Sequence, residues 1–169
     1  LGLRLIKGLS EAAGQRIHTA QRQRTFANVA DLRQRACLDR GDMEALAAAD
    51  ALSGISGNRY QSQWQTMALE AHRPLLSYDS AAQRSQDDAA VTAAPTLPED
   101  VVADYQSTGL TLRSHPLTLL RHQPPFDRCR RQTELETLGN HRFVRVAGLV
   151  TCRQRPGTAS GVVFLTLED

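Results

Sequence analysis

The chain has 169 residues, a formal net charge of +2 and 5% aromatic side chains. That length allows one domain or two small ones, the near-balanced charge sets aside a strongly basic or acidic protein, and so few aromatics argue against a single large core. Cys37, Cys129 and Cys152 stand far apart with no C-x-x-C pair, which argues against a zinc site or disulfide framework and for a reducing, cytoplasmic setting, while no apolar run approaches the ~18 residues of a membrane span and no signal-peptide pattern opens the chain.

Taken from the start, Leu3, Ile6, Leu9, Ala13 and Ile17 follow a helical period broken once at Gly8. Gly8 can take φ > 0 and reverse the backbone, Leu9 plugs the turn, and Ser10 is a good N-cap with Glu11 in the first turn behind it. Ala13 and Gly14 are small enough for close helix approach. A helix starting there presents unpaired backbone N–H groups at its positive end, a site for phosphate, with Lys7 and Arg16 close in sequence. The stretch resembles a helix-hairpin-helix motif, a reader of the DNA backbone without sequence preference, with Ser10 where the pattern has its second Gly. An ordinary helical connection stopped by Gly8 is the plainer alternative. Arg16, Arg22 and Arg24 follow in a run free of carboxylates, which suits either phosphate contact or a solvated face.

Asn28 is expected to cap a helix over 29–37 with Val29, Leu32, Ala36 and Cys37 inward. Residues 38–41 read as a second, looser turn, with Asp42 capping a helix over 43–51 that buries Met43, Leu46, Ala47 and Leu52. Gly41 and Asp50 stand where a second DNA-contacting hairpin would carry a basic residue and a glycine, so this unit is expected to be structural. Residues 53–57 end the four-helix body, and Asn58 caps a further helix over 59–69 with Trp64 as its core anchor.

Residues 70–98 read as a flexible linker rich in Ser, Ala, Gln, Asp, Thr and Pro. The adjacent carboxylates Asp87-Asp88 and Glu99-Asp100 are read as solvated, not as a metal pair. Connecting helices fill 99–140: one up to Gly109, one over 117–121 behind the turn Ser114-His115-Pro116, and one over 133–138 stopped by Gly139-Asn140. His115 serves as a capping or packing residue. From 141 the pattern is strand-like. Residues 143–149 alternate, Arg153 to Gly161 form a basic loop holding Arg153 and Arg155, and residues 162–167 return as a strand. Gly148 suits a sharp bend where a small barrel closes, and the hairpin resembles the opening strands of an OB-fold facing nucleic acid. The chain starts inside an apolar pattern and stops straight after a strand, so it reads as a piece of a longer protein.

The fold class expected is therefore mainly α with a C-terminal β part: a tandem helix-hairpin-helix bundle over 1–69, linker 70–98, connecting helices 99–140 and the start of an OB-fold over 141–169. In this order the parts, with "STGLTLRSHPLTLLR" and "VRVAGLVTCRQRPGTASGVVFLTLED", resemble the C-terminal region of bacterial C-family DNA polymerases, closest to the error-prone, damage-inducible branch. The resemblance implies a DNA-directed DNA polymerase (a nucleotidyltransferase) acting in translesion and mutagenic repair synthesis. Its catalytic carboxylates and Mg²⁺ lie in an upstream palm, so no catalytic or metal residue is carried over here. It implies contact with the duplex backbone through Lys7, Gly8, Leu9, Ser10, Arg16, Arg22 and Arg24, and with single-stranded template through Arg153 and Arg155. Accessory mutagenesis proteins are the partners it suggests. No clamp-binding pentapeptide stands between Glu70 and Asp100, which argues against direct sliding-clamp binding. Other classes open to the sequence are a non-enzymatic DNA-binding or repair accessory module and a protein-interaction segment with structural hairpins.

Overall fold

The computed structural model describes residues 2–69, 93–158 and 161–169. Residues 70–92, which hold most of the expected linker and the pair Asp87-Asp88, and loop residues 159 and 160 lie outside the described residues. The protein is mainly helical with a C-terminal two-stranded antiparallel sheet, and it divides into two compact units, Leu1–Thr111 and Leu112–Asp169.

In the first unit a 3₁₀ turn at Leu3–Leu5 leads into helix α1 (Glu11–Gln23). Then come α2 (Val29–Arg35), α3 (Arg40–Ala48), the single turn α4 (Ser53–Ser56), α5 (Arg59–Ala68) and α6 (Leu97–Ser107). The starts are chemically marked. Ser10, Asn28 and Asn58 each accept a hydrogen bond from the backbone N–H three residues on, as their sequence positions predict. Thr96 and Glu99 form a capping box for α6, so that helix begins at Leu97, two residues before the expected start of the connecting helices at 99. The Thr96 hydrogen bonds hold the Glu99 carboxyl below its ordinary range.

One core joins these helices. Ile6, Ala13 and Ile17 meet Val29, Leu32 and Ala36 of the α2 region and Met43, Leu46, Ala47 and Leu52 of the α3 region, the helical faces their spacing predicts. Leu3, Leu9 and Phe26 pack against its edge.

Four expectations fail here, one being the solvated reading of Asp100, which pairs with the buried Arg59 at 3.0 Å. The α3 helix starts at Arg40 and not Met43: Asp39 is its N-cap, and Asp42 closes a capping box from inside the first turn. Gly41 is thus a helical residue and not a turn glycine. Cys37, expected inward, takes φ 50° and is exposed. Trp64 is no core anchor. It is 51% exposed, and Tyr60 and Met67 share its outward face. Helix α5 instead buries Arg59, Ser62 and Thr66. On that buried side Arg59 pairs with Asp100 and Asp104, and the Ser62 hydroxyl meets that of Ser56.

In the second unit His115 caps α7 (Pro116–Leu120), its Nδ1 accepting from the Leu117 N–H at 3.3 Å, the capping role expected of it. A 3₁₀ turn at Phe126–Arg128 and the short helix α8 (Gln132–Leu135) follow. The sheet pairs β1 (Leu149–Gln154) with β2 (Phe164–Glu168), Leu149 opposite Glu168 and Gln154 opposite Phe164, with an irregularity between Val150 and Cys152. Residues 143–148 lie outside this ladder despite their alternation. The β2 strand has five residues and finds its partners from Leu149 onward, and Val146 makes only an isolated bridge to Arg130. Asp169 ties the end of β2 down: it pairs with Arg121 and accepts from the Gln132 N–H at 2.9 Å.

Candidate nucleic-acid interface

The turn before α1 is built around Gly8 at φ +85°. A Cβ there meets only Ala45 Cβ at 3.8 Å, so space is adequate and the conformation alone demands glycine. The Leu9 N–H donates to Ile6 O at 3.3 Å, which tightens the turn, and Leu9 is half-buried against the core. Ser10 then begins the helix, its Oγ accepting from the Ala13 N–H at 3.1 Å. The N–H groups of Ser10, Glu11 and Ala12 have no acceptor among the described residues, and all three residues are exposed. They form an open donor cluster at the positive end of a 13-residue helix, which suits a phosphate oxygen. The exposed Glu11 carboxylate is the one local competitor for that place.

The start of α3 has the opposite character. Asp39 Oδ1 accepts from the Asp42 N–H at 2.8 Å, and Asp42 Oδ2 faces the Asp39 N–H and Arg16 at 3.5 and 3.3 Å. Two of its donors, the Asp39 and Asp42 N–H groups, are filled by its own carboxylates. This gives a simple contrast of glycines: Gly8→Ala should lower the melting temperature of the first unit, at a cost of about 1–2 kcal/mol for the positive φ. Gly41→Ala should be neutral or raise it, since Ala favours helix by about 1 kcal/mol. A greater loss at Gly41 in parallel thermal melts would reverse the assignment of these two turns.

A second glycine turn precedes α5, at residues expected only to end the four-helix body. Gly57 has φ +106°, Asn58 Oδ1 accepts from the Gln61 N–H at 2.9 Å, and α5 begins at once. The signal was present in Gly54-Ile55-Ser56-Gly57-Asn58, which repeats the order glycine, apolar residue, cap of Gly8-Leu9-Ser10 with two residues added. Like Gly8, Gly57 combines a positive φ with an N-capped helix directly behind it, whereas Gly41 lies inside α3.

The expected basic stripe is dispersed. Arg16 donates to Ala36 O and Cys37 O at 2.8 and 3.3 Å and pairs with Asp42, capping the end of α2. Arg24 pairs with Asp31 at 3.0 Å. Arg35 joins the same carboxylate, donates to Arg24 O at 3.0 Å and lies 4.8 Å over the Phe26 ring. Burial alone would raise the Asp31 carboxyl, but the Ala27 N–H and the guanidiniums of Arg24 and Arg35 outweigh it and hold the group below its ordinary value. Arg22 is exposed, with no partner among the described residues. The exposed Lys7 ammonium donates to Tyr105 O and Gln106 O at 3.1 and 2.9 Å. Arg153 sits in β1 opposite Leu165 and not in the loop, whereas Arg155 is in the loop; both are exposed. Among the described residues no three His, Cys, Asp or Glu side chains come together as metal ligands would.

Residues 1–62 match the helix-hairpin-helix motif. Over 169 residues the chain is 50% identical to the error-prone DNA polymerase of Saccharophagus degradans and 47% identical to that of Teredinibacter turnerae. Over 170 residues it is 49% identical to that of Pseudomonas fluorescens. Each match covers 100% of this chain and 16% of the relative, so the chain spans a small part of the curated relatives it matches. No solved structure matches it. Over its whole length, then, the chain is similar to one segment of the error-prone DNA polymerases, and its residues 1–62 carry the helix-hairpin-helix motif.

Proposed function

We propose that this chain is the DNA-holding segment of an error-prone, DNA-directed DNA polymerase that acts in damage-induced translesion synthesis in the cytoplasm. The observation that carries this is the open donor cluster of Ser10, Glu11 and Ala12 behind Gly8. The names of the relatives and the match to the hairpin motif support it. In this reading the backbone at Gly8, Leu9 and Ser10 takes one phosphate of a duplex, the turn at Gly57 and Asn58 takes another, and Arg22 is the side chain still available for charge. Backbone donors see phosphate and not base edges, so binding carries no sequence preference. The exposed Arg153 and Arg155 beside the hairpin suit single-stranded template, as an OB-fold would use them. Catalysis and its Mg²⁺ belong to the rest of such a polymerase, as do accessory mutagenesis proteins.

Titration of the chain onto fluorescent duplexes of two unrelated sequences tests the reading. Both should bind alike. With one to three arginine–phosphate contacts, from Arg22, Arg153 and Arg155, affinity should fall roughly threefold to fortyfold between ~50 and ~200 mM salt. A flat salt response, or strong preference for one sequence, removes it.

A further inference from the structure

Both turns are tied to the same third element, α6. At one end of α6 the Lys7 N–H donates to Ser107 O at 2.8 Å, and its ammonium donates to Tyr105 O and Gln106 O. Gln106 O and Ser107 O are carbonyls a helix leaves unsatisfied at its C-terminus, where a cation is favoured, and Tyr105 O also accepts from the Gly109 N–H at 3.1 Å. Further back along α6, Arg59 pairs with Asp100 at 3.0 Å and with Asp104. Arg59 is the first residue of α5, directly behind the Gly57-Asn58 turn, and is 2% exposed. Its third contact, Ala48 O at 2.7 Å, reaches the end of α3. The matched motif stops at residue 62, so α6 lies outside it.

The geometry points to α6 as a strut that fixes the spacing of the two phosphate-gripping turns, with Lys7, Arg59, Asp100 and Asp104 as positioning residues and not phosphate ligands. The inference rests on the DNA-holding reading above. Two weak grips on one duplex act as linked binding events. The second is effective only when its distance from the first matches the phosphates presented, and a loose spacing forfeits much of the gain. The strut secures that distance with one clasp beside each turn. It also explains why Lys7 and Arg59, basic residues next to the two turns, are both turned away from them toward α6.

The test turns on a sign. Asp104→Asn in the whole chain removes a negative charge, which by electrostatics alone strengthens DNA binding. Asn keeps an acceptor for Thr111 Oγ1, now at 2.7 Å, and Arg59 keeps Asp100 and Ala48 O. The strut requires the opposite result. Affinity for a duplex should fall about tenfold, with the salt slope unchanged because no phosphate contact is lost. Amide exchange at 8–12 and 57–60 should rise together, below the melting temperature. Leu32→Ala thins the core from α2 without touching α6, and should lower the melting temperature while leaving DNA affinity unchanged. Equal or tighter binding by Asp104→Asn, or an equal loss in Leu32→Ala, overturns the strut. Should the parent chain show no salt-dependent DNA binding, the DNA-holding reading falls and exchange alone decides. Faster exchange at both turns keeps the strut, and unchanged exchange removes it.

Discussion

Arg59→Met should cost the first unit about 3–5 kcal/mol, because breaking a buried ion pair leaves its partners uncompensated. Methionine matches much of the arginine stem and cannot donate. The Asp100 and Asp104 carboxylates, one turn apart on the same face of α6, would then lack their shared cation, and Ala48 O would lose its donor. The same helix supplies the comparison. A core Trp→Ala change costs about 3–5 kcal/mol, yet Trp64→Ala should cost less than about 1 kcal/mol, as surface changes do, since the indole is 51% exposed. Urea unfolding followed by far-ultraviolet circular dichroism ranks the two variants. If Trp64→Ala proves the more damaging, the outward assignment of that face is wrong.

Gly148→Val should abolish pairing between β1 and β2. A Cβ at 148 stands 2.5 Å from Leu167 Cβ and 3.2 Å from Glu168 O, and neither a Cβ nor a backbone carbonyl can swing aside as a flexible side-chain end does. Overpacking of this kind costs about 1–3 kcal/mol. The hairpin has no surplus to absorb it, because every residue of both strands is exposed and a two-stranded sheet is marginal in water. Hydrogen exchange of the 149–154 amides reads the loss. Gly157→Ala, with nothing within 4 Å of the new methyl, should leave the pairing intact. Retained protection in Gly148→Val would show that the strands approach less closely than this.

The parts of the fold readable from the sequence are those decided within a few residues. Ser10, Asn28 and Asn58 cap where they stand because the donor they bind is three residues away. Apolar spacing placed Met43, Leu46, Ala47 and Leu52 inward because each helix turn repeats the same face. What escaped was decided by partners far along the chain. The inward side of α5 follows from Arg59 meeting Asp104, 45 residues on. The run of Arg16 to Arg24 holds no carboxylate in sequence, but folding brings Asp42 and Asp31 to it. Lys7 reads as a charge beside a phosphate site until α6, about a hundred residues later, offers its carbonyls. The strand over 143–149 failed for the same reason: alternation gives a residue two faces, but pairing needs a neighbour, and β2 reaches only Leu149. The turn at Gly57 was legible, since glycine, an apolar residue and a cap repeat there in the order of the first turn.

The outward set of Trp64 has an optical consequence. It is the chain's one tryptophan, and water already reaches it in the folded protein. Its emission therefore starts near the colour it would have in the unfolded chain, and loss of the Met43–Leu46 core changes its surroundings little. The indole is a lamp on the outer wall of the helical unit, bright to whatever docks against α5 and nearly blind to the state of the interior.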